Sequence, residues 1–438
     1  SVHTDAIQGI IDIPASGYLN AALTWMQAAN STVPATDPSG FEVMIAAVKP
    51  GTGEILSFGI NRTYDATDDA RTDETKTSMN YMVDQEDGGG MGFNVGSTWK
   101  PINMVAWMQK GHSINESLVT STVYDTSKFN CNGYGFVGPW RVQNSGGGTT
   151  SPESPLQGLI KSHNTTQASM ASNIGLCAIA DAAKEMGYHN AISNASDIYS
   201  ANSFQPPMTI GTVQASPLTM ANVYATMGAN GVECTPIAIT KVTDRSGSKV
   251  KVPSANCHQA IDPDIAQTVS YALNQGVVQP GGEASTTQLD NNRKTFAKTG
   301  TNENTVMTTA GFVPNQVAAF VAVADAQDPI NNTFDNKTIN GVYRPSWYGM
   351  YIATPAWKQF MNTYLAAINA PIDNDYGKGA DKYTVSKGAT RTYNQYQYQR
   401  QQNSQQQSQQ QSQQQTNQGQ QQQSQQQPAE QQSDQQHQ

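Results

Sequence analysis

The chain has 438 residues, with 25 Lys and Arg against 34 Asp and Glu and a formal charge of −9, and no stretch combines basic with aromatic residues as a nucleic-acid surface does. We therefore expect no nucleic-acid partner. Hydrophobic residues make up 37% of the chain and are scarce in its Gln-rich C-terminal end, so the rest can bury a substantial core.

The N-terminal part predicts a lead-in segment followed by the start of a sheet. Residues 1–40 carry apolar side chains at helical spacing and close with Pro, Ser and Gly, which predicts a linker containing a helix. From Phe41, the apolar runs FEVMIAAV and EILSFGI flank a turn cluster at residues 50–53 and predict a β-hairpin. Residues 61–87 are polar and acidic, and we expect a surface excursion there.

The middle of the chain predicts three helices. Apolar spacing over residues 93–107 suits a buried helix. Residues 168–186 alternate small and apolar side chains and stop at Gly187, a favourable C-cap residue. Ser216-Pro217 provide an N-cap and a first-turn proline for the helix LTMANVYATM.

The C-terminal third predicts the rest of the sheet. Three strand-like runs, TFAKTGT, MTTAGFV and QVAAFVAVA, follow one another, and a turn at Pro314-Asn315 joins the last two. A closing helix is predicted from about Thr354 to Ile368. Strands at both ends and helices between them predict an α+β fold, in which one antiparallel sheet is flanked by helices. The order of the strands cannot be read from the sequence.

The end of the chain, from about Ala389, consists almost entirely of Gln, Ser and Asn, and cannot bury enough apolar area to offset its ordering entropy. We expect a folded domain over residues 41–370 and a disordered tail over residues 371–438. The longest apolar runs, such as Val317 to Ala324, are far shorter than the roughly 20 residues that span a bilayer. We expect no membrane span here, and any export signal or anchor to lie upstream.

Three short motifs carry the chemistry, and together in this chain order they match the signature set of class A β-lactamases and penicillin-binding proteins. They are Ser97-Thr98-Trp99-Lys100, Ser162-His163-Asn164 and Lys298-Thr299-Gly300. Each motif alone is common by chance, so the prediction depends on their occurrence together.

The first motif predicts an activated serine. A serine hydroxyl is a poor nucleophile until a base takes its proton, and a lysine can do so when burial or nearby cations lower its pKa. Because residues three apart share a helix face, we expect Lys100 to reach the Ser97 hydroxyl. With Gly96 before the helix, Ser97 would also lie at the positive end of the helix dipole. The alternative is that Ser97 only caps a helix and Lys100 is solvated.

The second motif requires a loop between helices that turns short polar side chains into a cleft. There Ser162 would pass a proton between Lys100 and the leaving group, and Asn164 would hydrogen-bond the substrate backbone. Alternatively, Ser162 caps a helix that starts near Gln167.

The third motif lies on a predicted strand, where alternation sends Lys298 and Gly300 to one face. Thr299 and Thr301 lie on the other face. Lys298 would add positive charge to the pocket, and Thr299 would bind a substrate carboxylate. Since Gly300 has no side chain, a substrate could approach the strand closely. The backbone N–H groups of Thr301 and Ser97 would form an oxyanion hole.

The chain contains four cysteines: Cys131, Cys177, Cys234 and Cys257. Their spacing shows no CxxC pair, and an even count favours disulfides and an oxidising compartment over four free thiols. IAITKVTD and SKVKV flank a turn at residues 244–247, and this hairpin would bring Cys234 and Cys257 together. The remaining pair flanks Ser162, and a second bridge there is the weaker prediction, because four cysteines permit three pairings.

The sequence resembles penicillin-binding protein transpeptidases, and its details look most like the class A, bifunctional type of Gram-positive actinobacteria. GSTWKP, from Gly96 to Pro101, is similar to the family's GSTFKP, and FAKTGT to its GKTGT, with Ala297 in place of glycine. AVKPGTGEILSFG, QASPLTMANVYATMGANGVECTP and residues 348–365 extend the resemblance to about Phe41–Ile368. His163 fills a variable position of the family pattern.

The resemblance implies a serine β-lactamase/transpeptidase-like fold with an all-helical subdomain, at the extracellular face of the membrane or in the cell wall. It implies that Ser97 attacks the D-Ala-D-Ala bond of a peptidoglycan stem peptide and passes the acyl group to an amine of a neighbouring stem. β-Lactam antibiotics would acylate the same serine. No metal or cofactor is implied, and the family's glycosyltransferase domain and membrane anchor would lie upstream.

Three other interpretations stay open. A β-lactamase needs a carboxylate that activates water, and only Glu185 or Asp181, both in what looks like an ordinary helix, suggest themselves. A D,D-carboxypeptidase uses the same residues with water as the acceptor, and the sequence does not separate it from a transpeptidase. A non-enzymatic β-lactam sensor or adhesion module on a Gln-rich stalk would form a stable adduct or none.

Overall fold

A five-stranded antiparallel sheet lies at the centre of residues 27–385, the part of the chain that the computed structural model describes. Its strands are β1 (Glu42–Val48), β2 (Ile55–Ile60), β3 (Phe296–Asn302), β4 (Val306–Val313) and β5 (Val317–Ala324). The order across the sheet is β3-β4-β5-β1-β2, so the N-terminal hairpin joins the C-terminal strands through β1 and β5. The predicted sheet is confirmed, and β3 with the third motif is its edge strand.

Helices cover both faces of this sheet. They are α1 (Lys100–Gln109), α2 (Pro155–Ile160), α3 (Asn164–Ile174), α4 (Leu176–Glu185), α5 (Pro217–Gly228), α6 (Pro263–Val278), α7 (Gly349–Ala367) and α8 (Asp381–Thr384). The long helix α7 packs on β4 and β5 from one side, and α5 packs on β5 and β1 from the other. Helix α1 packs on α2, α3, α4 and α6, and α2 also packs on α3 and α6, which confirms a mixed fold with a helical subdomain.

Coverage on both sides explains the apolar strand sequences. Every residue of β1, β4 and β5 is buried, so these strands read as nearly continuous apolar runs without the alternation of a half-exposed strand. One apolar cluster fills the space between the sheet and the helical subdomain, and a second fills the space under α7.

The remaining elements are short. Residues 27–32 are helical. Two-stranded pairs join Thr63–Tyr64 to Lys76–Thr77, Phe93–Asn94 to Gln214–Ala215, Val123–Asp125 to Pro139–Arg141, Val232–Glu233 to His258–Gln259, Val242–Thr243 to Lys249–Val250 and Lys337–Ile339 to Val342–Arg344. Turns of 3-10 helix span Asp68–Arg71, Gln85–Asp87, Gly96–Trp99, Thr126–Phe129, Ser193–Ala195, Pro206–Ile210 and Ser285–Thr287.

Three predicted helices differ from the observed ones. The helix expected over residues 93–107 starts only after a short strand, as a 3-10 turn that leads into α1. The helix expected over residues 168–186 is two helices, α3 and α4, because Gly175 between them has a φ of 80°. The closing helix begins at Gly349 rather than Thr354, where its backbone packs directly on β3: an added Cβ would lie 2.4 Å from the Gly300 carbonyl oxygen.

The folded domain extends beyond residue 370, so the expected start of the tail at residue 371 is wrong. Arg293 donates hydrogen bonds to the carbonyls of Pro371 and Ala370. Tyr376 donates to the Met227 carbonyl at 2.5 Å, and Tyr383 is buried. These contacts bury part of residues 371–385, which the polar composition of the segment does not indicate. The helix predicted in residues 1–40 falls mainly, and the Gln-rich stretch from Ala389 wholly, outside the described residues.

Both predicted disulfides are confirmed. Cys131 pairs with Cys177 at the start of α4, and Cys234 pairs with Cys257. The hairpin expected between the second pair is also present, although its paired strands are only two residues long. Between residues 27 and 385, none of the helices has the length and apolarity required to cross a bilayer.

Candidate active site

Ser97 lies in the 3-10 turn Gly96–Trp99, which runs directly into α1 at Lys100. Gly96 adopts a φ of 57°, and a Cβ at this position would lie 3.2 Å from both the backbone nitrogen and the carbonyl oxygen of Thr301. The glycine therefore allows the turn that carries Ser97 to lie against the backbone of β3. The Ser97 side chain is partly exposed at this junction between the sheet and the helical subdomain.

Lys100 is completely buried and joins the first motif to the second. Its Nζ donates hydrogen bonds to the Ser162 carbonyl at 2.6 Å, to Asn164 Oδ1 at 2.7 Å and to Ser162 Oγ at 3.2 Å. The expected hydrogen bond to the Ser97 hydroxyl is not among these contacts. Burial, and next the positive charge of Lys298, hold the pKa of Lys100 well below the ordinary lysine value. The solvated alternative for Lys100 is therefore wrong.

The second motif occupies the predicted loop, between α2 and α3. Ser162 has a φ of 56°, in the left-handed region, and its N–H donates to the Leu159 carbonyl at 3.1 Å. Asn164 begins α3, and its Nδ2 donates to the Gln143 carbonyl at 2.8 Å. The alternative that Ser162 caps a helix near Gln167 is wrong, because the N-cap position of α3 is His163.

The third motif places a second buried lysine in the same region. The Lys298 ammonium donates to the Thr299 carbonyl at 2.9 Å. Burial lowers the pKa of Lys298 to about 8, although the nearby charge of Glu283 acts in the opposite direction. The hydroxyl of Thr299 donates to the Glu283 carbonyl at 3.2 Å. Two residues further along the strand, Thr301 Oγ1 accepts a hydrogen bond from the N–H of Gly349, which begins α7.

The glycine of the third motif is required by close packing within the protein. A Cβ on Gly300 would lie 2.1 Å from Thr308 Oγ1, 3.0 Å from the Val95 carbonyl oxygen and 3.3 Å from the Ser97 nitrogen. The space that a side chain at Gly300 would occupy is thus filled by the protein itself. This close approach brings the Ser97 N–H next to β3. The same strand carries the Thr301 N–H.

Two carboxylates of this region were missed in the sequence. The charge of Glu283 acts on both Lys100 and Lys298, and its backbone N–H donates to the Ile160 carbonyl at 3.0 Å. Glu153 contacts His163, the middle residue of the second motif, at 2.8 Å. Neither carboxylate is part of a recognisable sequence motif, so only the folded structure shows that both lie near the motif residues.

The two carboxylates considered for a β-lactamase lie elsewhere. Glu185 accepts a hydrogen bond from Gln109 at 2.7 Å on an exposed surface, and Asp181 accepts one from Tyr199 at 2.6 Å. Within the described residues, no group of three or more His, Cys, Asp and Glu side chains is placed to hold a metal ion. A partly exposed serine beside two buried lysines suits acyl transfer through a serine ester.

Comparison with known families decides the identity of this fold. Residues 43–355 match the penicillin binding protein transpeptidase domain. The chain belongs to this family. The matched residues cover most of the folded domain, within the range over which the motifs indicated the resemblance.

Curated relatives of this transpeptidase domain are penicillin-binding proteins 1A. The protein of Neisseria meningitidis serogroup A is 28% identical over 280 residues, which cover 62% of this chain and 31% of that protein. The protein of Mycolicibacterium smegmatis is 25% identical over 290 residues, which cover 63% of this chain and 34% of that protein. The chain thus matches about a third of the length of these relatives.

Solved structures share the transpeptidase fold. PonA1 of Mycobacterium tuberculosis, in complex with penicillin V, has a TM-score of 0.65 at 17% identity, covering 88% of this chain and 93% of that one. Penicillin-binding protein 1A of Haemophilus influenzae has a TM-score of 0.57 at 19% identity, covering 76% of this chain and 49% of that one. At these identities the likeness supports the α+β fold.

Proposed function

We propose that this domain is a serine D,D-transpeptidase that cross-links peptidoglycan stem peptides through an acyl-enzyme at Ser97, on the outer side of the cell membrane or in the cell wall. The observation that carries the proposal is the burial of Lys100 one turn after Ser97, with its amine held by Ser162 and Asn164. A lysine whose pKa is lowered by burial has a larger neutral fraction than an exposed lysine, and its neutral amine can act as a base.

In the proposed acylation, the neutral Lys100 amine takes the proton of the Ser97 hydroxyl while its oxygen attacks the carbonyl carbon of the D-Ala-D-Ala bond. The backbone N–H groups of Ser97 and Thr301 stabilise the oxyanion that develops. Collapse of this intermediate breaks the C–N bond. Ser162, which lies 3.2 Å from the Lys100 amine, passes the proton to the departing D-alanine amine.

Substrate recognition is assigned to the third motif and to Asn164. The charge of Lys298 attracts the terminal carboxylate of the stem peptide, and Thr299 hydrogen-bonds it. Asn164 hydrogen-bonds the peptide backbone of the donor stem. In the second half-reaction an amine of a neighbouring stem attacks the ester, Lys100 accepts its proton, and Ser97 regains its hydroxyl proton.

Acylation by β-lactams follows from the same chemistry, because the lactam carbonyl takes the place of the D-Ala-D-Ala carbonyl. A protein of the same fold, penicillin-binding protein A of M. tuberculosis, has been solved as an imipenem acyl-enzyme complex, with a TM-score of 0.55 at 18% identity. Its solved complex supports the expectation that Ser97 forms an ester with this class of antibiotic.

The test is to incubate the domain with a fluorescent penicillin and to follow adduct formation and decay by mass spectrometry. We expect a single adduct on Ser97 that decays slowly, and no adduct on Ser97→Ala, which removes only the attacking oxygen. Rapid turnover would indicate a β-lactamase, and absence of an adduct a non-catalytic module. A stem-peptide substrate offered with and without an acceptor amine then separates cross-linking from hydrolysis.

A further inference from the structure

A buried carboxylate stands behind the loop of the second motif. Glu153 precedes α2, is 7% exposed, and pairs with Leu118 through two backbone hydrogen bonds of 2.9 Å. Its carboxylate oxygens lie 2.8 and 3.0 Å from His163 Nδ1, and one of them accepts a hydrogen bond from the Thr166 hydroxyl. One side chain thus holds the residues on both sides of Asn164.

The loop that this carboxylate holds has an unfavourable backbone conformation. Ser162 lies in the left-handed region, which is unfavourable for an ordinary residue and persists only where the surroundings enforce it. The His163 N–H donates to the Gly158 carbonyl at 2.8 Å, and its ring is fixed by Glu153. Fixing His163 at both points sets the direction of the Ser162 carbonyl, which accepts the hydrogen bond from Lys100.

The Thr166 side chain, the second partner of the Glu153 carboxylate, is also held in place. Helices α2 and α3 pack so closely that a Cβ on Gly158 would lie 2.5 Å from the Cβ of Thr166. The Thr166 side chain therefore stays between Gly158 and the Glu153 carboxylate. Burying a carboxylate is costly unless hydrogen bonds compensate for lost water, and the hydrogen bonds of this carboxylate go to the loop and to α3.

From this geometry we propose that Glu153 is a positioning residue for acylation. By binding His163 and Thr166 it holds Ser162 and Asn164 in the arrangement that orients the Lys100 amine. Glu153 touches neither Ser97 nor Lys100, so it takes no direct part in the chemistry. The inference rests on the proposed function, since it concerns the rate at which Ser97 is acylated.

The experiment compares Glu153→Ala and Glu153→Gln with the wild-type domain. The rate constant for acylation by fluorescent penicillin is measured on the folded, titratable fraction, and thermal unfolding is recorded in parallel. We expect Glu153→Ala to slow acylation by roughly tenfold to a hundredfold, because small displacements of positioned groups have effects of this size. Glu153→Gln should stay within about threefold of wild type, since its amide can accept from His163 and donate to Thr166.

A matched control exists in the same domain. His112 and Glu116 form a comparable pair, with Nδ1 2.9 Å from the carboxylate, beyond the far end of α1 from Ser97. Glu116→Ala should leave the acylation rate constant unchanged. If Glu153→Ala fails to fold, Thr166→Val keeps the side-chain shape, removes one donor, and should slow acylation several-fold.

The outcomes separate the two proposals. If the wild-type domain forms no adduct, the proposed function fails before Glu153 is tested. If wild type reacts and Glu153→Ala acylates as fast as Glu116→Ala, Glu153 has no positioning role. The inference also fails if Glu153→Ala lowers only the titratable fraction, if Glu153→Gln is as slow as Glu153→Ala, or if Thr166→Val reacts at the wild-type rate.

Discussion

Lys100 and Lys298 are both buried beside Ser97, yet the proposed chemistry needs them in opposite protonation states. Burial, and next the positive charge of Lys298, disfavour the protonated form of Lys100 and hold its pKa well below the ordinary lysine value. Burial lowers the pKa of Lys298 to about 8, while the charge of Glu283 favours its protonated form. Each lysine therefore helps set the other's role. A charged Lys298 favours the neutral form of Lys100, and a neutral Lys100 does not repel the positive charge of Lys298.

Lys100→Ala should fold and keep the nucleophile but slow acylation by a factor of roughly 10² to 10⁴, the usual contribution of a general base. The measurement is the rate of fluorescent penicillin labelling. Lys110→Ala, at the exposed end of the same helix, is the matched control and should label like wild type. Near-normal labelling of Lys100→Ala would show that another group takes the Ser97 proton.

The acylation rate should depend on pH with a maximum. It rises with pH as Lys100 loses its proton, at a pH well below the ordinary lysine pKa, because only the neutral amine is a base. It falls above about pH 8 as Lys298 loses its proton and its charge. Rates measured from pH 5 to pH 10 test both limbs. In Lys298→Arg, which stays charged, the alkaline limb should disappear, and its persistence would assign that limb to another group.

At the level of single residues, the motif serines, lysines and asparagine could be predicted because their chemistry requires them in a recognisable order. The surroundings of Gly300 could not, since the atoms that exclude a side chain there come from Thr308 on the paired strand β4 and from Val95, which is far away in the chain. Glu153 was missed for the same reason: its partners are fixed by the packing of α2 on α3.

Among the elements, the Cys234–Cys257 bridge closes a short loop around the small hairpin, and the two cysteines have a sequence separation of 23. Replacing both cysteines by alanine should lower the free energy of unfolding by about 3 kcal/mol in the chain-entropy account. It should leave acylation unchanged, because no motif residue lies in that loop. Chemical denaturation and penicillin labelling of the same preparation check both parts, and slower labelling would show that the hairpin supports the site.

The predicted elements held where a local pattern determined them. Hairpins were indicated by turn residues between apolar runs, and α5 by its cap, with the Ser216 hydroxyl accepting from the Thr219 N–H at 3.3 Å. Helix limits failed where tertiary contact decides. The first turn of α7 depends on its contact with β3, and the break at Gly175 interrupts a sequence whose apolar spacing continues on both sides.

For the whole molecule, the amino-acid composition predicted a C-terminal limit of the folded domain that is too early. Deleting residues 389–438 should change neither the melting temperature nor acylation, because this Gln-rich stretch has too few apolar residues to add to a core. Deleting residues 371–438 should lower the melting temperature by several degrees, because it removes Tyr376 and Tyr383 from their contacts. Equal melting temperatures for the two truncations would contradict the contacts of that segment.

The pairing of β1 with β5 also has a consequence for folding during synthesis of the chain. Glu42 pairs with Ala324 at the far end of the folded domain, so β1 leaves the ribosome long before its partner exists. At synthesis rates of about 5 to 20 residues per second, the wait lasts roughly tens of seconds. Throughout this interval an apolar strand with an unpaired edge is exposed to wrong partners. Nascent chains of this domain should therefore depend on chaperones more than their final stability would suggest.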